Sequence, residues 1–298
     1  MAMISRRSFV YGSVGVAAIP VAARLAFALP LGLPLGIQLY SVRQQMGEDL
    51  DAALSAVRAA GFTEVEAAAL PKKSAKEIRA ALNKAGLACV SAHHPFSELQ
   101  PRFEELVAFD KELGAKFVIC SSPGYRNSSG AGAPGKPRPL TMDDWKYNAE
   151  QFNQLGERSK ALGVTFGYHN HMREFLETDG KTPYVELLSL TDPQKVTFEL
   201  DCGWAVAAGK NPIELLREHP HRISLLHVKD FKMVTPAGEG YEPQVTELGQ
   251  GSISYRPIFA QAAKTQKIQH AFVEQEAFDM PWKDSLKVDA EYMRKLSI

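Results

Sequence analysis

VTFGYHNHMREFLETDGKTPYVELLSLTDPQKVTFELD, residues 164–201, holds a complete strand–helix–strand unit. Val164–Asn170 and Lys195–Asp201 are short apolar runs without strict alternation, the pattern of strands buried on both faces. Pro183–Leu190 between them reads as a helix. Two buried strands joined through a helix run parallel, so the sheet is parallel and covered. The same unit recurs outward in both directions. Gly36–Val42, Thr63–Ala69, Leu87–His93 and Lys116–Ser122 precede it as strands, and Arg222–Val228 and Gln269–Gln275 follow. Helical spacing of apolar residues marks Asp49–Ala60, Ser74–Ala85, Leu106–Leu113, Met142–Leu162, Pro212–Glu218, Ile258–Ala263 and Ser285–Leu296. Gly61, Gly86, Gly114 and Gly163 sit where a helix ends before the next strand.

Eight such units in about 265 residues predict a (β/α)8 barrel, which typically runs to ~250 residues. An open doubly wound sheet is the alternative, but it wants a Gly-rich turn after its first strand, and Tyr40–Arg43 has no glycine. Hydrophobic residues at 45% supply a core, and 34 basic against 34 acidic side chains argue against a protein held to nucleic acid through phosphates. Cys89, Cys120 and Cys202 lack metal-finger spacing and read as buried thiols, with a Cys89–Cys120 disulfide disfavoured between neighbouring parallel strands.

Residues 1–28 read as an address. Arg6-Arg7 in SRRSFV precedes a weakly apolar stretch, Ser8–Ala23, and Ala26-Phe27-Ala28 fits a cleavage site. This twin-arginine pattern predicts export to the periplasm, no stable membrane span after cleavage, and a single domain over 29–298. Cleavage removes three arginines and no acid, leaving 31 basic and 34 acidic residues, a net charge of −3.

Two loops are long, Pro123–Leu140 and Phe231–Gln250. Both follow strands and belong on the C-terminal face where barrel sites form, the second expected to help cover the site and the first to be mobile at its tip. Gly130–Lys136 spells GxxxxGK, but Pro137 stands where a phosphate loop needs Ser or Thr.

Several strands end in side chains fit for metal binding or proton transfer: His93 and His94; His169, His171 and Glu174; Asp201; His227 and Lys229; Glu274 and Glu276. A barrel gathers these ends around one axis. Asp201 as a helix cap, His227 as a core histidine, Glu274 as a surface acid and a Lys229–Asp230 surface pair are the plain alternatives. Glu276 reads as exposed, and of His93 and His94 at least one reads as loop surface.

GIQLYSVR (36–43), YHNHMREF (168–175), ELDCGWAVAAGKNP (199–212), LLHVKDF (225–231) and FVEQE (272–276) occur in that order. Together they resemble the sugar phosphate isomerase/epimerase family of the xylose isomerase-like TIM barrels over residues 35–296. The resemblance implies one divalent metal held by Glu174, Asp201, His227 and Glu274, with His169 or His171 as the alternative fifth-strand ligand. Such an oxygen-rich set favours Mn²⁺ or Mg²⁺, with Zn²⁺ or Co²⁺ open. It further implies enediolate chemistry on a small sugar or keto-sugar, Glu174 and Glu274 moving a proton on opposite faces and Lys229 and His93 assisting. Tyr40, His169, His171 and Trp204 would contact substrate. The first expectation is an isomerase or epimerase; Trp204 stands where ketose epimerases of this family carry histidine, which puts simple epimerisation in doubt, and elimination by a keto-sugar dehydratase or lyase, for example on a 3-keto-glycoside, is the alternative. An exported sugar-binding protein without turnover is the reading of another class. A homo-oligomer is left open.

Overall fold

The computed structural model describes residues 30–127, 132–133, 136–232 and 243–296. The expected leader (1–28), most of the GxxxxGK stretch and the tips of both long loops lie outside the described residues. Eight parallel strands close a barrel: β1 Gly36–Gln38, β2 Glu64–Ala67, β3 Ala88–Pro95, β4 Phe117–Ser122, β5 Thr165–His169, β6 Val196–Asp201, β7 Ile223–Val228 and β8 His270–Val273. Their order around the ring is β1-β8-β7-β6-β5-β4-β3-β2. Each expected strand is present, most of them trimmed by a residue or more at their ends.

Among the described residues ten α-helices accompany them: α1 Arg43–Glu48, α2 Leu50–Ala60, α3 Ala75–Ala85, α4 Phe96–Leu113, α5 Met142–Leu162, α6 Pro183–Leu190, α7 Cys202–Ala207, α8 Pro212–Glu218, α9 Tyr255–Thr265 and α10 Trp282–Lys295. Local sequence sets their ends. Ser74 with Glu77, and Thr141 with Asp144, form reciprocal caps at the starts of α3 and α5. Gly61, Gly86, Gly114 and Gly163 take left-handed backbone at the ends of α2, α3, α4 and α5. Helix α4 departs from expectation by starting ten residues earlier, at Phe96. Pro101 hides the helical pattern, and the chain absorbs it as a kink at Arg102 (φ −130°, ψ 26°).

The core has two layers. Phe62, Leu54, Phe152, Phe166, Phe198 and Phe259 lie between strands and helices. Inside the ring, Phe117, Ile119, Leu225 and Phe272 plug the lower barrel, with Val90 against them. Val90 and His93 both reach the interior although three residues apart on β3. A register shift between β2 and β3 skips Val90 and re-aims the strand above it. The three cysteines are buried and free. Among the described residues no helix is long and apolar enough to cross a membrane.

The second long loop folds back as an antiparallel hairpin, Asp230–Lys232 with Gln244–Thr246. Asp230 ties it down by accepting from the amides of Phe231, Gly249, Gly251 and Ile253 at 2.9–3.0 Å. A side chain at Gly251 would collide with that carboxylate. The described part of the loop does not line the cavity at the barrel mouth, and the remainder, on which the expected cover falls, lies outside the described residues. Leu248 N donates to Asp289 of α10 at 2.7 Å.

Burial, reinforced by the nearby Glu247 and Asp230, pushes the Asp289 carboxyl up to about 7. The native state therefore holds a proton that the unfolded chain releases near 3.9, and stability falls as pH rises through about 7. Asp289→Asn keeps the acceptor for Leu248 and removes the charge. It should stabilise the protein at pH 8 by about 1–3 kcal/mol and flatten the change in Tm between pH 5.5 and 8; an unchanged pH profile in thermal melts would contradict this.

Candidate metal and substrate site

At the C-terminal mouth, alternate residues of the strands face inward and bring together Glu66 (β2), His93 (β3), His169 (β5), Glu199 and Asp201 (β6), His227 (β7) and Glu274, which directly follows β8. All but His93 are buried residues, and His93 is nearly so. His169, Asp201, His227 and Glu274 present ligand atoms within 4.8 Å of one another; so do His93, His169, Glu199 and His227.

Hydrogen bonding separates the roles of the two groups. His227 Nε2 lies 2.7 Å from Glu66 Oε2, so its Nδ1 faces Glu274 (3.0 Å) and Asp201 (3.8 Å). His169 Nδ1 lies 3.0 Å from Glu199 Oε2, and its Nε2 faces Asp201 at 3.9 Å. In both imidazoles the inner nitrogen is bonded to a carboxylate and the outer one is turned to the mouth. That is how histidine ligands are oriented by carboxylates behind them.

The inner carboxylates are themselves held. Glu66 Oε2 accepts from Gln38 Nε2 at 2.7 Å, and His93 Nε2 bridges Glu199 (2.6 Å) and Glu66 (3.0 Å). Burial works against the charge on His93, but Glu66 and Glu199 outweigh it and raise its pKa to about 9. His227 is raised well above the usual range, with Glu199 outweighing burial. Burial lowers His169, with the neighbouring His227 adding to the effect.

Asp201 is positioned from three sides. Its Oδ1 caps α7 through Trp204 N at 2.7 Å. Asn170 accepts from its amide (3.0 Å) and donates to its carbonyl (3.3 Å), locking β6 to the end of β5. Its Oδ2 is buried without a hydrogen bond, and Lys229 Nζ lies 3.0 Å away. Cap and candidate ligand are thus one residue with two oxygens in two roles.

Lys229 is fully buried, not a surface residue paired with Asp230. Its Nζ meets Asp201 (3.0 Å), Glu274 (2.7 Å) and Glu276 (2.6 Å). Burial disfavours its charge, but these acids, Asp201 first, hold its pKa well above the ordinary value. Lys229 in turn outweighs burial to keep Glu274 ionised. Tyr255 clamps the lysine backbone, its hydroxyl donating to Lys229 O (2.6 Å) and accepting from Lys229 N (2.9 Å). A side chain at Gly203 would strike the Lys229 stem, so this path needs glycine there.

Acids outnumber cations at the mouth. Glu66, Glu199, Asp201, Glu274 and Glu276 face Lys229 and the imidazoles of His93 and His227, whose pKa values neighbouring acids raise. A dipositive ion among His169, Asp201, His227 and Glu274 would require His227 neutral and would offset the excess negative charge.

Glu174 stands apart from this group. Its carboxylate accepts from Tyr168 OH at 2.5 Å and from His171 N at 2.9 Å, and burial raises its pKa. The expected fifth-strand carboxylate is engaged in holding the β5 loop, and His169, the alternative, occupies the place at the mouth.

A cavity of about 950 Å³ opens over the cluster. Tyr40, His93, His169, His171, Glu274 and Glu276 line it, and Tyr40 is 38% exposed beneath the Arg43 guanidinium, 4.1 Å from its ring centre. Trp204, expected to stack on substrate, does not line it. Its ring packs on Phe231 (5.1 Å) with Lys229 Nζ 4.9 Å from its centre. Glu276 is half-buried and meets Lys229 rather than standing free in solvent. Sequence reasoning passed over Glu66 and Glu199. The signal was there for Glu199, which lies two residues before Asp201 and so on the same strand face.

Metal content should separate the two glutamates. Glu174→Gln should retain a single bound divalent ion while losing about 1–3 kcal/mol of stability through its weakened buried hydrogen bonds. His169→Ala and Asp201→Asn should lose the ion after dialysis. Loss of the ion in Glu174→Gln alone would restore Glu174 as the ligand.

With that geometry in place, comparison with known proteins is informative. Residues 54–296 match the model of the xylose isomerase-like TIM barrel. An inosose dehydratase of Geobacillus thermodenitrificans is 27% identical over 226 residues, covering 69% of this chain and 75% of that protein. The structure of a sugar phosphate isomerase/epimerase from Parabacteroides distasonis superposes with a TM-score of 0.71 at 27% identity, covering 88% of this chain and 98% of that one. A Mycobacterium smegmatis protein solved in complex with magnesium shares the fold, with a TM-score of 0.65 at 17% identity over 89% of this chain and 96% of that one. The chain belongs to the xylose isomerase-like TIM barrel family.

Proposed function

We propose that this protein is a metal-dependent lyase that removes a proton beside the carbonyl of a keto-sugar or keto-polyol and expels a group from the next carbon. The observation that carries this reading is the placement of Glu174. Epimerisation through two carboxylates needs one on each face of the substrate, and Glu174 is committed to Tyr168 and His171. Next to the ligand cluster the lining carboxylates are Glu274 and Glu276 on the β8 side, with Glu98, Glu105 and Asp110 lining the cavity farther out along α4, while the imidazoles His93, His169 and His171 line it from β3, β5 and the β5 loop. A base of one type facing donors of another suits a reaction that takes a proton from one atom and delivers one to a different atom. The inosose dehydratase relatives support the same class.

His169, Asp201, His227 and Glu274 would hold the cation, which when bound supplies Lewis acidity at a carbonyl oxygen. Two imidazoles and two carboxylates make a softer set than the expected three carboxylates and one imidazole. This favours Mn²⁺, Co²⁺ or Zn²⁺ over Mg²⁺. Glu274 accepts the proton, kept ionised by Lys229. Lys229 holds the carboxylates of Asp201, Glu274 and Glu276 in place and keeps positive charge behind them. His171, lowered well below its ordinary pKa chiefly by burial, stays neutral and offers an N–H to substrate oxygens.

In D₂O, proton NMR should show loss of the β-substituent and a conjugated enone from a keto-polyol. Glu274→Gln should slow this about 10²–10⁴-fold. Deuterium exchange or inversion without elimination would assign the protein to the isomerase class instead, and binding without exchange would make it a sugar-binding protein.

We propose further that residues 1–28 direct export, supported by Arg6-Arg7 and Ala26-Phe27-Ala28. Fractionation should find the chain outside the cytoplasm, and Arg6→Lys with Arg7→Lys should retain it inside; equal distribution of both would refute export by this route.

A further inference from the structure

The cavity does not end at the barrel mouth. It continues past the end of β3 into a side lobe between the β2–β3 edge and α4, lined by Ala68, Leu70, His94, Leu106, Phe109 and Asp110. Three features set this lobe apart. The last residue of β2 and the two after it, Ala67–Ala68–Ala69, carry only methyl side chains, and Ala69 sits at φ 49°, a conformation costly for a residue with a Cβ. That strained, small-residue loop leaves room where larger side chains would fill it. Leu70, Leu106 and Phe109 give one wall an apolar surface of the kind that packs against a ring face. Finally, His94 Nε2 lies 2.8 Å from Asp110 Oδ2, whose carboxylate is buried, leaving Nδ1 as the nitrogen able to serve a ligand.

His93 and His94 are neighbours on one strand with opposite outlooks. His93 bridges Glu66 and Glu199 inside the barrel, and His94 is turned toward α4. The two lobes therefore meet at the end of β3. We infer that the side lobe is the subsite for an O-linked second ring on the substrate's β-carbon, and that His94, oriented by Asp110, is the proton donor to the linking oxygen. The substrate class is then a keto-glycoside rather than a free keto-monosaccharide. This rests on the elimination reading above. The balance is closed: the α C–H bond breaks and its proton goes to Glu274, the C=C bond forms, the β C–O bond breaks with its electron pair going to oxygen, and that oxygen takes the His94 proton to leave as an alcohol.

Leaving-group dependence tests the assignment in the full chain. Keto-glycosides with alkyl and nitrophenyl leaving groups are compared with a keto-polyol lacking the second ring. His94→Asn and Asp110→Asn should slow alkyl glycosides about 10²-fold or more and nitrophenyl glycosides little, because a good leaving group needs no proton. Ala68→Phe should raise KM for glycosides about tenfold relative to the keto-polyol. Equal slowing across all leaving groups would reduce His94 to a structural residue and overturn the donor role. Turnover of the keto-polyol but of no glycoside would overturn the subsite. If nothing is turned over, the lyase reading fails, and calorimetry with an unreactive glycoside decides the subsite: affinity weakened by Ala68→Phe sustains it, and affinity unchanged overturns it.

Discussion

Bringing the carboxylates of Glu66, Glu199, Asp201 and Glu274 out of water into one barrel mouth carries a desolvation cost of several kcal/mol per ion, and the other groups at the mouth are arranged to offset it. Lys229 reaches two of the four from within the wall, and His93 bridges the other two. Gln38 adds a neutral hydrogen bond to Glu66. Asn170 and Tyr255 add no charge but fix the backbone on which Asp201 and Lys229 stand. Buried acids of this number without pairing would be protonated or would unfold the mouth. One oxygen each of Glu66, Glu199 and Asp201 stays buried without a hydrogen bond, and Asp201 Oδ2 has Lys229 Nζ 3.0 Å away. Asp201 Oδ2 also faces His169 Nε2 and His227 Nδ1, the place where a cation would find its other ligands.

The same arrangement ties stability to chemistry. The inner carboxylates hold the two imidazoles in the tautomers that face the mouth, so the ligand geometry is set before any ion arrives. Rigidity comes from the barrel itself, because every participating strand is hydrogen-bonded on both sides and cannot shift alone. The loops above it carry the more adjustable parts. Glu174 shows how a functional-looking residue can be drawn into this framework. Its bonds to Tyr168 and His171 brace the turn after β5, and by doing so they leave His169 to face the cluster.

Much of the fold was legible because parallel strands buried on both faces are largely apolar, and α2, α3, α4 and α5 each end in a glycine before the next strand. The early start of α4 was not, since Pro101 masks the periodicity and only packing of Phe96, Leu99 and Phe103 against the core sustains that segment. At the site, Asp201, His227, Lys229 and Glu274 were legible as polar side chains closing apolar runs. Glu66 was hidden because a glutamate inside a short strand looks the same in sequence whether it faces solvent or the barrel axis. His93 depended on the register shift beside Val90, which no spacing rule anticipates. Trp204 followed the family's spacing into the expected position, yet packs against Phe231 and outside the cavity lining, because α7 begins immediately after Asp201 and turns the indole toward the Asp230 hairpin.

The amino-acid sequence by itself determined the order of elements, the closed parallel architecture they imply, and the acids and imidazoles at strand ends that could meet around one axis. Those are local properties: apolar runs, caps and turns act within a few residues. Which nitrogen of each imidazole faces the mouth, which glutamate stands at the cluster and which braces a turn, and where the cavity extends beyond the barrel were decided only by tertiary structure. The physical reason is that each depends on a partner more than twenty residues away, as His227 depends on Glu66 and His93 on Glu199, or on side-chain orientation between close neighbours, as between Glu174 and Tyr168.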